Sequence, residues 1–203
     1  MSNNIAGVIL AGGQAQRYGA PKQLLLWKGM PFVRNVALTA IAAGLDPVNL
    51  VTGAFAQQVT ATIADLPLIV VHNDDWVQGQ STSLRRGIAS LPSQVQAAII
   101  FLVDMPQVPQ DLVHALVERY LQTRAAIVAP WLDSRRGNPV LFDRSVFADL
   151  SKLTGDEGGR LLFPHYAVQD VSWQDPILTL DVDTKDDYLL LLRSEDDIQS
   201  ASQ

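Results

Sequence analysis

"GVILAGGQAQRYGAPK" spans residues 7–22, an apolar run that stops at Gly12-Gly13, with Arg17 four residues on and Lys22 closing the stretch. Ile5 to Leu10 is short, continuous and apolar, the pattern of a strand buried on both faces. Where it ends, glycines let backbone N–H groups approach a ligand closely, and a loop of such groups favours an anion. Arg17 would add a bidentate fork for phosphate and Lys22 a compact point charge. The stretch is neither GxxxxGK[ST] nor GxGxxG, so it matches neither the Walker loop nor the dinucleotide fingerprint. On the residues alone it is an anion cradle or a glycine-rich turn carrying two solvated cations.

Outward from that loop, β-branched apolar runs alternate with segments of helical period. Strands are expected at 48–52, 68–71, 97–103, 126–129, 168–171 and 178–182, with 97–103 central and 140–142 pairing at a sheet edge. Helices are expected at 32–43 (stopped by Gly44), 54–64, 81–90, 110–122, 144–150, 157–164 and 183–193. The rhythm predicts an α/β fold, a Rossmann-like three-layer sandwich with a mainly parallel central sheet, in which ligands sit at the carboxyl ends of the strands. Residues 1–193 read as one domain and 194–203 as a frayed tail.

Composition narrows the function classes. At 203 residues, 48% hydrophobic and 18% charged, the chain is globular rather than disordered. A net charge of −6 argues against a broad nucleic-acid surface, so a polyanion must be met by a local basic site. The absence of cysteine excludes disulfides, thiolate metal sites and cysteine nucleophiles. No apolar run approaches the roughly 20 residues that span a bilayer. "MSNNIAGVIL" lacks the basic and apolar regions of a signal peptide, and the expectation is a cytoplasmic protein without membrane or nucleic-acid partners.

Two acidic positions share the strand-end placement of the glycine loop. Asp104 in "FLVDMPQV" follows the most hydrophobic strand, where a carboxylate suits Mg²⁺ with substrate phosphates, or caps a turn. In "LTLDVDTKDDY", Asp181 and Asp183 share a face if the strand persists, or Asp183-Thr184 caps the last helix with Asp187 in its first turn. No histidine reads as catalytic, and Trp76 and Trp131, which follow strands, either pack in the core or at an edge or wall a flat acceptor.

"LAGGQAQRYGAPKQLL" resembles the signature of the MobA-like nucleotidyltransferases, roughly LAxGxSxRxGxxK. "QGQSTSLRRGI" (78–88), "VDMPQV" (103–108), "GNPVLF" (137–142) with "GDEGGRLL" (155–162), and "DVDTKDDY" (181–188) agree in order, so the resemblance spans Val8 to Tyr188. Within the family it is nearest the molybdenum cofactor cytidylyltransferases, which move CMP from CTP to molybdopterin; the guanylyltransferases use GTP. The resemblance implies a nucleotide-diphospho-sugar transferase-like fold. It implies nucleotide contacts from Leu10, Ala11, Gly12 and Gly13, and from Gly79, Gln80, Ser81, Thr82 and Ser83. It implies catalytic roles for Arg17, Lys22 and Asp104 in charge stabilisation. It further implies Mg²⁺ on Asp104 and Asp183, and acceptor contacts from Gly137, Asn138, Pro139 and Asp156. The substrates implied are CTP or GTP and a molybdopterin-type acceptor, with a molybdoenzyme or its maturation chaperone as a candidate partner. The cytidylyl group shows "AAG" where this chain has Ala11-Gly12-Gly13, and "LAGG" is the guanylyl preference. The usual serine of the signature is Ala15. A transferase for a sugar phosphate, or a non-catalytic nucleotide-binding module in cofactor insertion, are the alternatives.

Overall fold

The computed structural model describes residues 4–14 and 18–200, with side chains described as far as residue 194. In chain order it holds β1 (Ile5–Ala11), β2 (Leu26–Trp27), β3 (Met30–Pro31), α1 (Phe32–Ala42), β4 (Val48–Thr52), α2 (Ala56–Ala61), β5 (Ile69–His72), α3 (Gln80–Ala89), β6 (Ala97–Leu102), α4 (Gln110–Thr123), β7 (Ile127–Leu132), β8 (Arg135–Arg136), β9 (Val140–Asp143), α5 (Phe147–Leu150), β10 (Val168–Trp173) and α6 (Lys185–Ser200). The main sheet runs β10-β7-β9-β6-β1-β4-β5, with β8 added to β7. β1 pairs in parallel with β4 and β6, β4 with β5, and β7 with β10. β9 is antiparallel to both its neighbours.

The alternation of side chains along β1 separates two cores. Ile5 and Ile9 pack beneath α1 and α4 with Phe32, Val36, Leu112 and Leu116. Ala6, Val8 and Leu10 face the opposite layer, where Leu84 and Ile88 of α3 and Leu150 of α5 cover the sheet. The result is a three-layer sandwich whose β1, β4 and β6 end together at one rim. Gly44 takes φ +74° just past α1, the left-handed stop expected of it.

Three expectations are corrected. Residues 140–142 lie inside the sheet, not at its edge: β9 hydrogen-bonds on both sides, and Val140, Leu141 and Phe142 are all buried. Residues 178–182 form no strand. Asp175 caps a 3-10 turn over Pro176–Thr179, Gln107 Nε2 donates to the carbonyls of Ile177 and Leu180, and Val182 N–H donates to the Asp104 carbonyl. The buried Leu178 and Val182 were signals of burial, not of a ladder. The last helix does not close at Arg193; its backbone continues to Ser200.

Candidate active site

The rim where β1, β4 and β6 end holds a cleft of about 430 Å³. Leu10, Gly12 and Gly13 line it from the end of β1, Asp104 from the turn after β6, and Lys22 from a 3-10 turn over Lys22–Leu24. Lys22 Nζ lies 2.5 Å from Asp183 Oδ1 and 3.9 Å from Asp104 Oδ2. Asp183 is available to it because the cap of α6 is made by its neighbours. Asp187 Oδ2 accepts from the N–H groups of Asp183 and Thr184 and from the Thr184 hydroxyl, while Asp187 N–H donates back to Thr184 Oγ1. That is a capping box in which Thr184 is the cap and Asp187 closes it.

Asp104 carries the strongest electrostatic signature in the site. Burial pushes its carboxyl up to about 6; Asp181 and Asp183 add to the rise, and Lys22 opposes it. Its Oδ1 is buried and has no hydrogen-bond partner among the described residues. Asp181 is raised too, again by burial first, with Arg160 and Arg135 opposing. Among the described residues no three carboxylate or imidazole groups converge as a ready metal cage. Asp104 and Asp183 are a pair bridged by an ammonium, which suits a cation that brings its remaining oxygen ligands with its substrate.

The N-terminus of α3 closes the opposite wall. Gly79 adopts φ +109° and lies so close to Gly155 that a Cβ there would fall 2.3 Å from the Gly155 backbone. The first N–H groups of α3 are partly spent on this contact: Ser81 N–H donates to the Gly155 carbonyl, and Gln80 N–H to Asp156 Oδ1 at 3.4 Å. Asp156 therefore helps cap a helix distant in sequence. A Cβ on Gly12 would meet Ser83 Oγ at 2.7 Å, whereas Gly13 faces open space.

A second cavity of about 370 Å³ abuts the first and shares Leu10, Gln80, Leu102 and Asp156 with it. Its floor is apolar, from Leu84, Ile100, Val140 and Phe142, and its rim carries Asn138, Glu157, Arg160 and Asp181.

The structure thus brings Leu10, Gly12, Gly13, Lys22, Gly79, Gln80, Ser83, Asp104 and Asp183 to one cleft, and Asn138 and Asp156 to the second cavity. Ala11 ends β1 with its side chain buried. Ser81 and Thr82 are buried in the first turn of α3, Thr82 bonding back to Gly79 and Asp75 carbonyls. Gly137 packs against Leu132, and neither it nor Pro139 lines either of these two cavities. Arg17 lies outside the described residues. Arg136 is clamped on Asp170 at 2.6 and 3.0 Å, and Arg135 donates to the Thr179 carbonyl. Of the tryptophans, Trp76 joins the first cleft, packing over Gly53 beside Gly12, rather than the second; Trp131 lines neither. Sequence reasoning also passed over Gln23 and Val77 in the first cleft. Gln23 reads as one more solvated polar residue beside a lysine, and Val77 as an ordinary apolar residue of a loop.

Residues 7–171 match the MobA-like NTP transferase domain. The chain belongs to that family. Among its relatives is the nicotine blue oxidoreductase of Paenarthrobacter nicotinovorans, 32% identical over 197 residues, 93% of this chain and 96% of the relative. A probable molybdenum cofactor guanylyltransferase of Geobacillus sp. (strain WCH70) is 24% identical over 199 residues, covering 92% of this chain and 97% of its own. The crystal structure of Rv0371c from Mycobacterium tuberculosis H37Rv is similar with a TM-score of 0.85 at 31% identity, covering 93% of this chain and 97% of that one. The same protein in complex with manganese gives a TM-score of 0.80 at 30% identity, over 94% and 98%. Gly12, Gly13, Lys22 and Asp104 of the first cleft lie within the matched span, and Asp183 lies beyond it.

Proposed function

We propose that the chain is a divalent-metal-dependent nucleotidyltransferase that moves a nucleoside monophosphate from CTP or GTP to the phosphate of a molybdopterin-type acceptor, releasing pyrophosphate. The observation that carries this reading is the convergence of Lys22, Asp104 and Asp183 beside a glycine loop, with a second, apolar-floored cavity sharing its wall.

The first cleft takes the triphosphate and base, and the second takes the acceptor ring system over Phe142 and Ile100. An acceptor phosphate oxygen attacks the α-phosphorus, forming a new P–O bond as the α–β bridging bond breaks and pyrophosphate departs. The acceptor oxygen is already anionic, so no general base is needed; positioning and charge neutralisation supply the catalysis. Lys22 donates to phosphoryl oxygens as charge moves on to the leaving group. The donor set fits a divalent cation, because Asp104 offers a buried carboxylate oxygen that no donor among the described residues satisfies. Mg²⁺ held by Asp104 and Asp183 would neutralise phosphate charge as a Lewis acid. Manganese in the Rv0371c structure is consistent with a divalent site in the family.

The name of the Paenarthrobacter relative raises a redox reading, but clustered carboxylates and a lysine serve polyphosphate transfer and are not required for hydride transfer. One experiment separates the two. Pyrophosphate release is followed with CTP or GTP, Mg²⁺ or Mn²⁺, and molybdopterin, with a panel of sugar phosphates as rival acceptors and NAD(P)H oxidation in parallel. Nucleotide-dependent pyrophosphate release only with molybdopterin supports the proposal. Release only with a sugar phosphate reassigns the acceptor, and NAD(P)H oxidation without pyrophosphate overturns the transferase reading.

A further inference from the structure

Gln23 follows Lys22 directly, and its amide meets the glycine loop. It is 1% exposed. Its Nε2 donates to the carbonyls of Ala11 at 3.0 Å and Gly13 at 2.7 Å, the two that flank Gly12. The Gly12 carbonyl between them accepts from Ala54 N–H at 3.1 Å. Three consecutive carbonyls of the loop are therefore held, two of them by one side chain. In a planar trans peptide the C=O and N–H point in opposite directions. Holding these oxygens consequently sets the directions of the Gly12, Gly13 and Gln14 N–H groups, and all three residues line the first cleft.

Two details argue that the amide is there for its donor rather than its bulk. Among the described residues Gln23 Oε1 is buried with no hydrogen-bond partner, a penalty that Met or Leu of similar volume would avoid. The orientation is also forced, because a flipped amide would set Oε1 against two carbonyl oxygens. Lys22 shares the same turn, closed by Leu24 N–H on the Pro21 carbonyl and Leu25 N–H on that of Lys22. One short segment thus places a cation in the cleft and fastens the backbone opposite it.

We propose that Gln23 is a positioning residue for the polyphosphate loop: its amide fixes the Ala11–Gly12 and Gly13–Gln14 peptide planes and keeps that loop in register with Lys22. It acts through the backbone carbonyls that it holds. The inference rests on the transferase reading above, which assigns the loop to the triphosphate.

The test compares wild type with Gln23→Met, Gln23→Glu and Gln23→Asn. CTP and GTP dissociation constants come from calorimetry, KM and kcat from pyrophosphate release, and fold integrity from thermal melts. Met keeps the volume and loses both hydrogen bonds; its nucleotide KM should rise about tenfold while kcat moves less than about threefold. Glu replaces the donor with an acceptor facing two carbonyls and should be worse than Met. Asn keeps an amide too short to span both carbonyls, should fall between Met and wild type, and serves as the folded variant should Met fail to fold. Nucleotide affinity unchanged in folded Met and Asn variants, or Glu equal to wild type, overturns the proposal while leaving the transferase reading in place. A wild type that binds neither CTP nor GTP overturns both.

Discussion

Lys22 Nζ lies 2.5 Å from Asp183 Oδ1 and 3.9 Å from Asp104 Oδ2, so one ammonium joins a residue ahead of α6 to the turn after β6. That ammonium sits against the two carboxylates proposed to hold a metal ion. Replacing it by Met should raise the affinity of the nucleotide-free protein for Mn²⁺ by about tenfold, because a nearby positive charge is removed. The same change should lower pyrophosphate release by at least about a hundredfold, the scale of losing a preorganised charge stabiliser. Electron paramagnetic resonance of free Mn²⁺ checks the first and a coupled phosphate assay the second.

Asp104 makes apo stability fall with rising pH. Its carboxyl titrates at about 6 in the folded protein, above the unfolded value near 3.8, so between those values the folded state binds more protons than the unfolded state. The stability it contributes is full below pH 4, is lost as pH rises through 6, and amounts to about 2–3 kcal/mol. Urea titrations from pH 4 to 8 in the presence of a chelator should show this slope in wild type. They should show it flattened in Asp104→Asn, which should be the more stable protein at pH 8.

Gly12 faces Ser83 too closely for a Cβ. Gly12→Ala must rotate the Ser83 hydroxyl away from Asn73 Nδ2, which donates to it at 3.0 Å. Nucleotide affinity should drop by about threefold to tenfold, the scale of one misplaced hydrogen bond. Adding Ser83→Ala should recover most of the loss. Calorimetry with CTP and GTP measures both, and a difference between the two nucleotides would assign the base to this position.

Thr184 caps α6 and so leaves Asp183 to the cleft. Thr184→Ala should cost about 1 kcal/mol of stability, as loss of a helix cap does. It should also raise the metal concentration needed for half-maximal activity, since the backbone of Asp183 is anchored by the same box. Denaturant melts and a Mg²⁺ titration read the two effects separately.

Periodicity exposed most of the scaffold and little of the closure. The ends of β1 and β6, the cation at Lys22 and the carboxylates at 104 and 183 were visible because apolar runs stop abruptly at residues with distinctive chemistry. The interior placement of β9 was not visible, since three apolar residues carry no mark of how many neighbours they pair with. Residues 178–182 misled for the same reason: Leu178 and Val182 are buried by a docked turn held through Gln107, a contact made by a distant side chain. In the site, Gln23 escaped notice because its partners are backbone carbonyls, which no sequence pattern displays. The place of Trp76 at the first cleft was not visible, because its neighbour, Gly53, lies beside it only once β4 and β5 are paired.

The seam at Gly79 and Gly155 sets a condition on how the two cavities can change. Ser81 N–H and Gln80 N–H, which begin α3, donate to Gly155 and Asp156, and Gln80 and Asp156 line both cavities. Any movement of the 155–158 loop that widens one chamber draws on the bonds that seat the helix bordering the other. Were each cavity to take a ligand under the proposed function, reciprocity would require each to alter the other's affinity by the same factor.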